Sequence, residues 1–318
     1  MQLVRGTHNL RPAHRGCVAT IGNFDGVHLG HQAVFAALQA RARDMGLPAV
    51  VITFEPQPLE YFRPSEAPAR LTRLREKLAA IADSGIDRVL LLEFGPHLAA
   101  LSAEAFIQQV LVDGLDIRHL YVGDDFRFGH GRSGDFGLLQ QAGKAHGFGV
   151  ESLHSVIHLD ERVSSTGIRQ ALAAGDLQRA AHWLGRPYAI CGRVAHGNKR
   201  GRSIGFPTLN VDLHRRVSPL RGVYAVRLSG LDDKPLPGVA NVGNRPTVTG
   251  DDRFLLEVHL FDFDRQVYGA HVAVEFVAHI REERKFASFD ELREQIQVDA
   301  AKAREILGIA VRTSQASC

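Results

Sequence analysis

Short apolar runs alternate with amphipathic stretches through the first half of the chain. Residues 17–24, 49–54, 88–94 and 119–123 are mostly apolar without a polar alternation, which reads as strands buried on both faces. Between them Val34, Leu38, Arg41/Ala42 and Met45 recur at helical spacing and stop at Gly46, and Leu74, Leu78 and Ile81 do the same ahead of Gly85. Strand, helix and strand in repetition predict an α/β domain with a parallel sheet covered on both faces.

The pattern changes near residues 176–188, where a last helical segment, 176–184, gives way to Gly185-Arg186-Pro187. The junction is expected there, with domains at 1–182 and 183–318. Beyond it, residues 189–194, 222–228, 236–242, 254–261 and 271–277 form strand-like runs separated by Gly, Pro and Asp clusters. They predict a small closed antiparallel β-barrel. A terminal helix is expected from Ser288, which stands three residues before Glu291 in a capping-box spelling, to Leu307-Gly308.

With 318 residues there is room for two cores, so two sites are sought. A formal charge of +3 is small for this length and calls for neither a nucleic-acid nor an anionic-membrane partner, while small anionic substrates remain compatible. Cys17, Cys191 and Cys318 are odd in number and widely spaced, which fits neither a disulfide framework nor a zinc spacing and suits a reducing cytoplasm. No apolar signal region opens the sequence, and no run reaches the ~18 residues of a membrane span. A soluble cytoplasmic protein is expected, its oligomeric state left open.

Residues 22–31 read Gly-Asn-Phe-Asp-Gly-Val-His-Leu-Gly-His, at the handover from first strand to first helix. That is the C-terminal edge of a parallel sheet, where such folds bind ligands. His28 and His31, three apart at a helix start, bring two imidazoles toward one phosphate, and Gly30 leaves room for a nucleotide to approach the backbone. The arrangement suits the negative charge that builds on an α-phosphate as pyrophosphate departs. The same spacing is compatible with a zinc pair, against which the lack of further ligands counts, or with a helix cap carrying incidental histidines. Ser164, Ser165 and Thr166, with Arg169 one turn in, read either as an anion cradle or simply as a helix N-cap. The stretch Gly123-Asp124-Asp125-Phe126-Arg127-Phe128-Gly129 is a solvated loop or a substrate loop, and its aromatic pair favours the second.

In the second half, Gly197, Gly201 and Gly205 with Lys199, Arg200 and Arg202 form a basic loop able to wrap phosphates through backbone N–H groups, or merely solvated surface. It lacks the P-loop spelling. Thr208 and Asn210, two apart on an extended segment, project to one side and offer a hydroxyl and an amide oxygen to Mg²⁺ against ATP phosphates. Glu257 is the candidate proton acceptor for a substrate hydroxyl. Alternation sets Glu257 and His259 opposite Leu256, Val258 and Leu260, which equally describes a glutamate on a solvent face.

The order of these motifs is specific. Residues 22–31, Thr53-Phe54-Glu55-Pro56, the Gly-Asp-Asp-Phe-Arg-Phe-Gly stretch, Ser-Ser-Thr-x-Ile-Arg, Gly-Phe-Pro-Thr-x-Asn, residues 240–247 and the Glu-Val-His-Leu-Phe-Asp-Phe-Asp run together resemble the bacterial bifunctional riboflavin kinase/FMN adenylyltransferase family, over roughly residues 15–308. Gln57 stands where that family commonly carries histidine, and Leu209 where alanine is commoner. The resemblance implies a Rossmann-like nucleotidyltransferase sheet followed by a riboflavin-kinase-type barrel. It implies ATP as substrate and riboflavin, FMN and FAD as substrates or products, with Mg²⁺ at Thr208 and Asn210 and Glu257 as base. It also implies nucleotide contacts from Gly22, Asn23 and Phe24, and flavin contacts from Phe54, Asp125, Phe126, Arg127 and Arg281. Two rival expectations are a kinase whose N-terminal half serves another acceptor, and a flavin-sensing regulator, for which no basic recognition helix or aromatic RNA platform is found.

Overall fold

The computed structural model describes residues 1–123, 125–153, 157–158, 161–195, 206–213, 217–245 and 253–309. They belong to two compact units, Met1–Pro68 with Thr72–Ser165, and Ala69–Leu71 with Thr166–Cys318.

The first unit is built on β1 (Gln2–Arg5), β2 (Cys17–Ile21), β3 (Ala49–Glu55), β4 (Arg88–Glu93), β5 (Ile117–Gly123) and β6 (Gly149–Leu153). These form an all-parallel sheet in the order β1-β4-β3-β2-β5-β6. Around it lie α1 (Leu29–Met45), α2 (Pro58–Phe62), α3 (Leu74–Asp83), α4 (Pro96–Ala100), α5 (Ala103–Phe106), a π-helical turn at Ile107–Val112, and α6 (Phe136–His146). Successive strand residues face opposite ways. Val50, Ile52 and Phe54 therefore join Phe106, Leu111 and Leu139 on one side, while Ala49 and Val51 join Phe35, Leu38 and Ile81 on the other. Each fully buried aliphatic side chain contributes about 1.5–3 kcal/mol. Strands β1 and β6 are absent from the sequence expectation because they are edge strands. Gln-Leu-Val-Arg and Gly-Val-Glu-Ser-Leu carry too few apolar residues to stand out as runs.

From β2 the strand order runs one way to β3 and β4, and the other way to β5 and β6. The order reverses between β2 and β5, so the turns leaving their C-terminal ends flank the crevice in which such sheets bind ligands. A short antiparallel pair, β7 (Ile157–His158) and β8 (Glu161–Arg162), follows the sheet.

In the second unit, α7 (Ser165–Ala173), whose first residue closes the first unit, and α8 (Leu177–Leu184) precede β9 (Ala189–Ala195), β10 (Leu209–Asp212), β11 (Gly222–Ser229), β12 (Leu236–Arg245), β13 (Arg253–Leu260) and β14 (His271–Arg281). The strands close into an antiparallel barrel in the order β10-β13-β12-β11-β14-β9. Closure leaves no exposed sheet edge. The last helix, α9 (Phe289–Ile306), lays Ala300, Ala303 and the following Leu307 on Val223, Ala225 and Val239 of the barrel's outer face. Its Ser288 cap accepts the Glu291 N–H at 3.1 Å, while the Glu291 carboxylate takes the Ala287 N–H at 2.9 Å, one residue earlier than a strict capping box.

Candidate active sites

The turn from β2 to α1 holds a strained backbone. Phe24 and Val27 have φ of 47° and 43°, a left-handed conformation that costs a residue with a Cβ about 1–3 kcal/mol. Hydrogen bonds hold it there. The buried Asp25 carboxylate accepts from the Thr72 N–H at 2.9 Å and its hydroxyl at 3.1 Å, and Thr72 Oγ1 in turn accepts the Gly26 N–H at 3.0 Å. Ser165 donates its hydroxyl to the Asp25 carbonyl at 2.9 Å. Lys77, fully buried on α3, donates to the Asn23 carbonyl at 3.0 Å and to Thr53 Oγ1 at 3.2 Å.

His28 is the N-cap of α1, its Nδ1 accepting the His31 N–H at 3.3 Å. An accepting Nδ1 leaves the proton of a neutral ring on Nε2, so His28 presents a donor there. His31 stacks on it with ring centroids 3.6 Å apart at 18°, and the edge of Phe24 meets His31 at 5.1 Å. Burial, then the neighbouring His28 and Lys77, push the His31 pKa well below its usual value. Its Nδ1 is buried and has no hydrogen-bond partner among the described residues. The pair is thus a compact source of N–H donors suited to a phosphate oxygen.

Gly30 makes room within the turn itself. A Cβ there would lie 3.0 Å from the His28 ring, so the missing side chain makes room for the imidazole itself. Gly22 likewise accommodates the Phe24 ring, which a Cβ would meet at 3.0 Å. Asn23 is exposed beside them. Ser164 and Ser165 are half-buried at the start of α7, Thr166 is exposed, and Arg169 donates to the Ala69 carbonyl at 2.6 Å.

The loop after β5 is self-braced. Phe128 and Gly134 exchange backbone hydrogen bonds of 3.2 and 2.9 Å, and Phe126 stacks on Phe128 at 5.4 Å. Asp125 and Arg127 are exposed on it. At the ends of β3 and β4, Phe54, Tyr61 and Phe62 set their rings edgewise to Phe94 at 5.7, 5.7 and 5.5 Å. Phe62 remains 59% exposed, an aromatic surface that spacing alone leaves unremarked. Gln57, buried at the cap of α2, has an amide Nε2 without a partner among the described residues.

On the barrel, register brings three polar residues into a row. Asn210 of β10 pairs with Glu257 of β13, which pairs on its other side with Asn241 of β12. Within β13, Leu256, Val258 and Leu260 are buried while Glu257 and His259 are only partly so, as alternation requires. Asn210 is buried, and its Oδ1 has no hydrogen-bond partner among the described residues. His259 holds the Pro207 carbonyl at 2.9 Å, fixing the segment that leads to the half-buried Thr208. Arg281 grips Asp299 of α9 through Nε and Nη2, at 3.0 and 2.7 Å, and its Nη1 donates to the Glu282 carbonyl at 2.8 Å. Gly197, Lys199, Gly201, Arg202 and Gly205 lie outside the described residues. Sequence reasoning missed Lys77, Asp25, Thr72, Asn241 and the Tyr61/Phe62/Phe94 cluster. Only Lys77 left a signal, a charge at i+3 from Leu74 and i−4 from Ile81 on the apolar stripe of α3.

Comparison with known proteins finds two family profiles in the chain. The FAD synthetase family profile matches residues 10–167 and the riboflavin kinase profile residues 184–307. The bifunctional riboflavin kinase/FMN adenylyltransferase of Escherichia coli K12 is 54% identical over 310 residues, covering 97% of this chain and 99% of that one. Those of Pseudomonas fluorescens and Haemophilus influenzae are 54% and 51% identical, each over 96% of this chain and 98% of the relative. A solved structure described as a macrolide-efflux protein of Streptococcus pneumoniae superimposes with a TM-score of 0.78 at 30% identity, covering 96% of this chain and 99% of that one. No helix among the described residues is long and apolar enough to cross a membrane. The chain belongs to the bifunctional riboflavin kinase/FMN adenylyltransferase family and makes FAD from riboflavin by two successive transfers from ATP.

Proposed function

We propose that residues 183–318 carry out the kinase step at the Asn210–Glu257 row and residues 1–182 the adenylyl transfer at the His28–His31 pair. In the first step Glu257 takes the proton of the riboflavin 5′-hydroxyl. The oxygen attacks the γ-phosphorus of ATP, and the bond to the β-phosphate breaks to release ADP. Asn210 supports a cation site through its buried, unpartnered Oδ1, a hard oxygen donor of the kind Mg²⁺ selects, with the Thr208 hydroxyl two residues away. Bound there with ATP, Mg²⁺ would neutralise charge on the phosphate oxygens. The basic residues Lys199 and Arg202 and the glycines Gly197, Gly201 and Gly205 would wrap the same phosphates.

In the second step an FMN phosphate oxygen attacks the α-phosphorus of ATP, and pyrophosphate leaves with the bridging electrons. His28 donates from Nε2 to the α-phosphate oxygen as its charge grows, His31 backing it. Gly22, Asn23, Phe24 and Gly30 form the floor, and Ser164, Ser165, Thr166 and Arg169 bind the ATP phosphates. Phe62 and Phe94, with Phe54, Asp125, Phe126 and Arg127, offer aromatic faces and polar edges to the isoalloxazine ring. Arg281, its guanidinium engaged by Asp299, orders the loop that follows it beside the kinase flavin. We place the reaction in the cytoplasm, consistent with the buried, unbridged thiol of Cys17.

The observation that carries the reading is the stacked imidazole pair at the sheet's switch point. The test follows riboflavin, FMN and FAD by chromatography. His28→Asn, which retains a capping side chain, is expected to lose FAD formation by about 10²–10³-fold while forming FMN at the original rate. Glu257→Gln is expected to lose FMN formation yet convert supplied FMN to FAD. Loss of both activities in either folded variant would refute the division.

A further inference from the structure

Lys77 is 1% exposed, yet it carries an ammonium group, which is strongly unfavourable to bury unless hydrogen bonds repay the lost water. Its Nζ reaches the Asn23 carbonyl at 3.0 Å and Thr53 Oγ1 at 3.2 Å, and Thr53 itself donates to the Asn23 carbonyl at 3.3 Å. Three elements meet in this cluster: α3, the end of β3 and the turn after β2. A trans peptide carries its N–H opposite its C=O. Anchoring the Asn23 carbonyl therefore turns the Phe24 N–H away from Lys77, at the point where the chain enters its left-handed stretch (φ 47° at Phe24, 43° at Val27).

We propose that Lys77 is a positioning residue for adenylyl transfer. From α3 it fixes the turn that carries Phe24 and His28, and it places a hydrogen-bonded cationic side chain behind the imidazole pair that receives the α-phosphate. The inference rests on the assignment of His28 and His31 to that reaction. The charged or titratable groups acting on His31 are His28 on its own turn and Lys77 on α3, whereas the nearby Asp25 carboxylate is turned to Thr72. Both, together with burial, oppose a proton on His31 and keep the stacked pair from carrying two positive charges.

The test uses full-length Lys77→Met and Lys77→Arg. FAD formation from FMN, FMN formation from riboflavin, and the His31 imidazole titration by NMR are measured in parallel. Lys77→Met is expected to lower kcat for FAD formation by about 30-fold or more, with the KM for FMN within about threefold. Its His31 midpoint should rise, its kinase rate should match the wild type, and Lys77→Arg should recover part of the loss. A kcat close to wild type, or a reduced kcat with the His31 midpoint unmoved, overturns the proposal. If Lys77→Met fails to fold, Thr53→Val keeps the charge and removes one partner. Its kcat should fall about three- to tenfold, and an unchanged kcat also overturns the proposal. His28→Asn run alongside separates the two levels. Retained FAD formation there defeats the imidazole assignment, whereas loss there with none in Lys77→Met defeats only the role of Lys77.

Discussion

Asn210 is 8% exposed, with an amide oxygen that no described residue satisfies. A buried acceptor left in that state costs about 1–3 kcal/mol, an expense a bound cation would offset. Asn210→Leu is expected to lower the FMN-forming rate by about tenfold and move the Mg²⁺ activation midpoint upward, without lowering the thermal unfolding midpoint. A lower unfolding midpoint with unchanged Mg²⁺ dependence would mark Asn210 as merely structural. Thr208 and Asn210 were legible as a pair because extended chain has a period of two, which puts them on one side, whereas pattern alone fitted Glu257 equally to a solvent face and only the family motif singled it out. Asn241 was not, since its neighbourhood with Glu257 is a matter of which strands pair and in what register. Lys77 was readable only as an anomaly, because nothing in a helical stripe says what an intruding charge will meet.

Arg281 and Asp299 tie β14 to α9 across 18 positions, the carboxylate being 4% exposed and the guanidinium 21%. Gln295 adds a 2.8 Å hydrogen bond to the same carboxylate. Removing one member of a buried pair leaves the other uncompensated, so Asp299→Ala is expected to destabilise the second unit by about 3 kcal/mol. Trp183, the only tryptophan, lies in α8 of that unit, so urea unfolding followed by its fluorescence reads the change directly. A shift below about 0.5 kcal/mol would mean that α9 is held by Ala300, Ala303 and Leu307 alone. Central strands β2 to β5 were visible as apolar runs because both of their faces are covered. The edge strands β1 and β6 were not, because their polar residues make them resemble loops.

At the scale of the molecule, burial is the main reason that His31, His119 and His259 are all held below the ordinary imidazole value of 6.5. The unfolded chain therefore binds protons near pH 6.5 that the folded chain refuses. Stability is fully present above that pH and falls as the pH drops toward the folded values, by up to about 1.4 kcal/mol per pH unit for each such group. Thermal unfolding midpoints are accordingly expected to decline from pH 7 to pH 5, and a flat profile would mean that the rings are accessible to protons in the fold. Burial also pushes the Cys17 thiol up to about 12, which leaves it unreactive where it packs under the sheet. Local pattern by itself determined the two architectures and the helix starts at His28 and Ser288, because periodicity and capping act over a few residues, while the order of the family motifs singled out most of the candidates for chemistry. Tertiary structure alone decided the strand order that puts the β2 turn at a switch point, the register that aligns Asn210, Glu257 and Asn241, the burial of Lys77 beneath the Asn23 carbonyl, and the grouping of α7 and α8 with the barrel. Each of these joins residues distant in sequence, and a contact of that kind is set by packing and pairing across the fold rather than by any property of its neighbours along the chain.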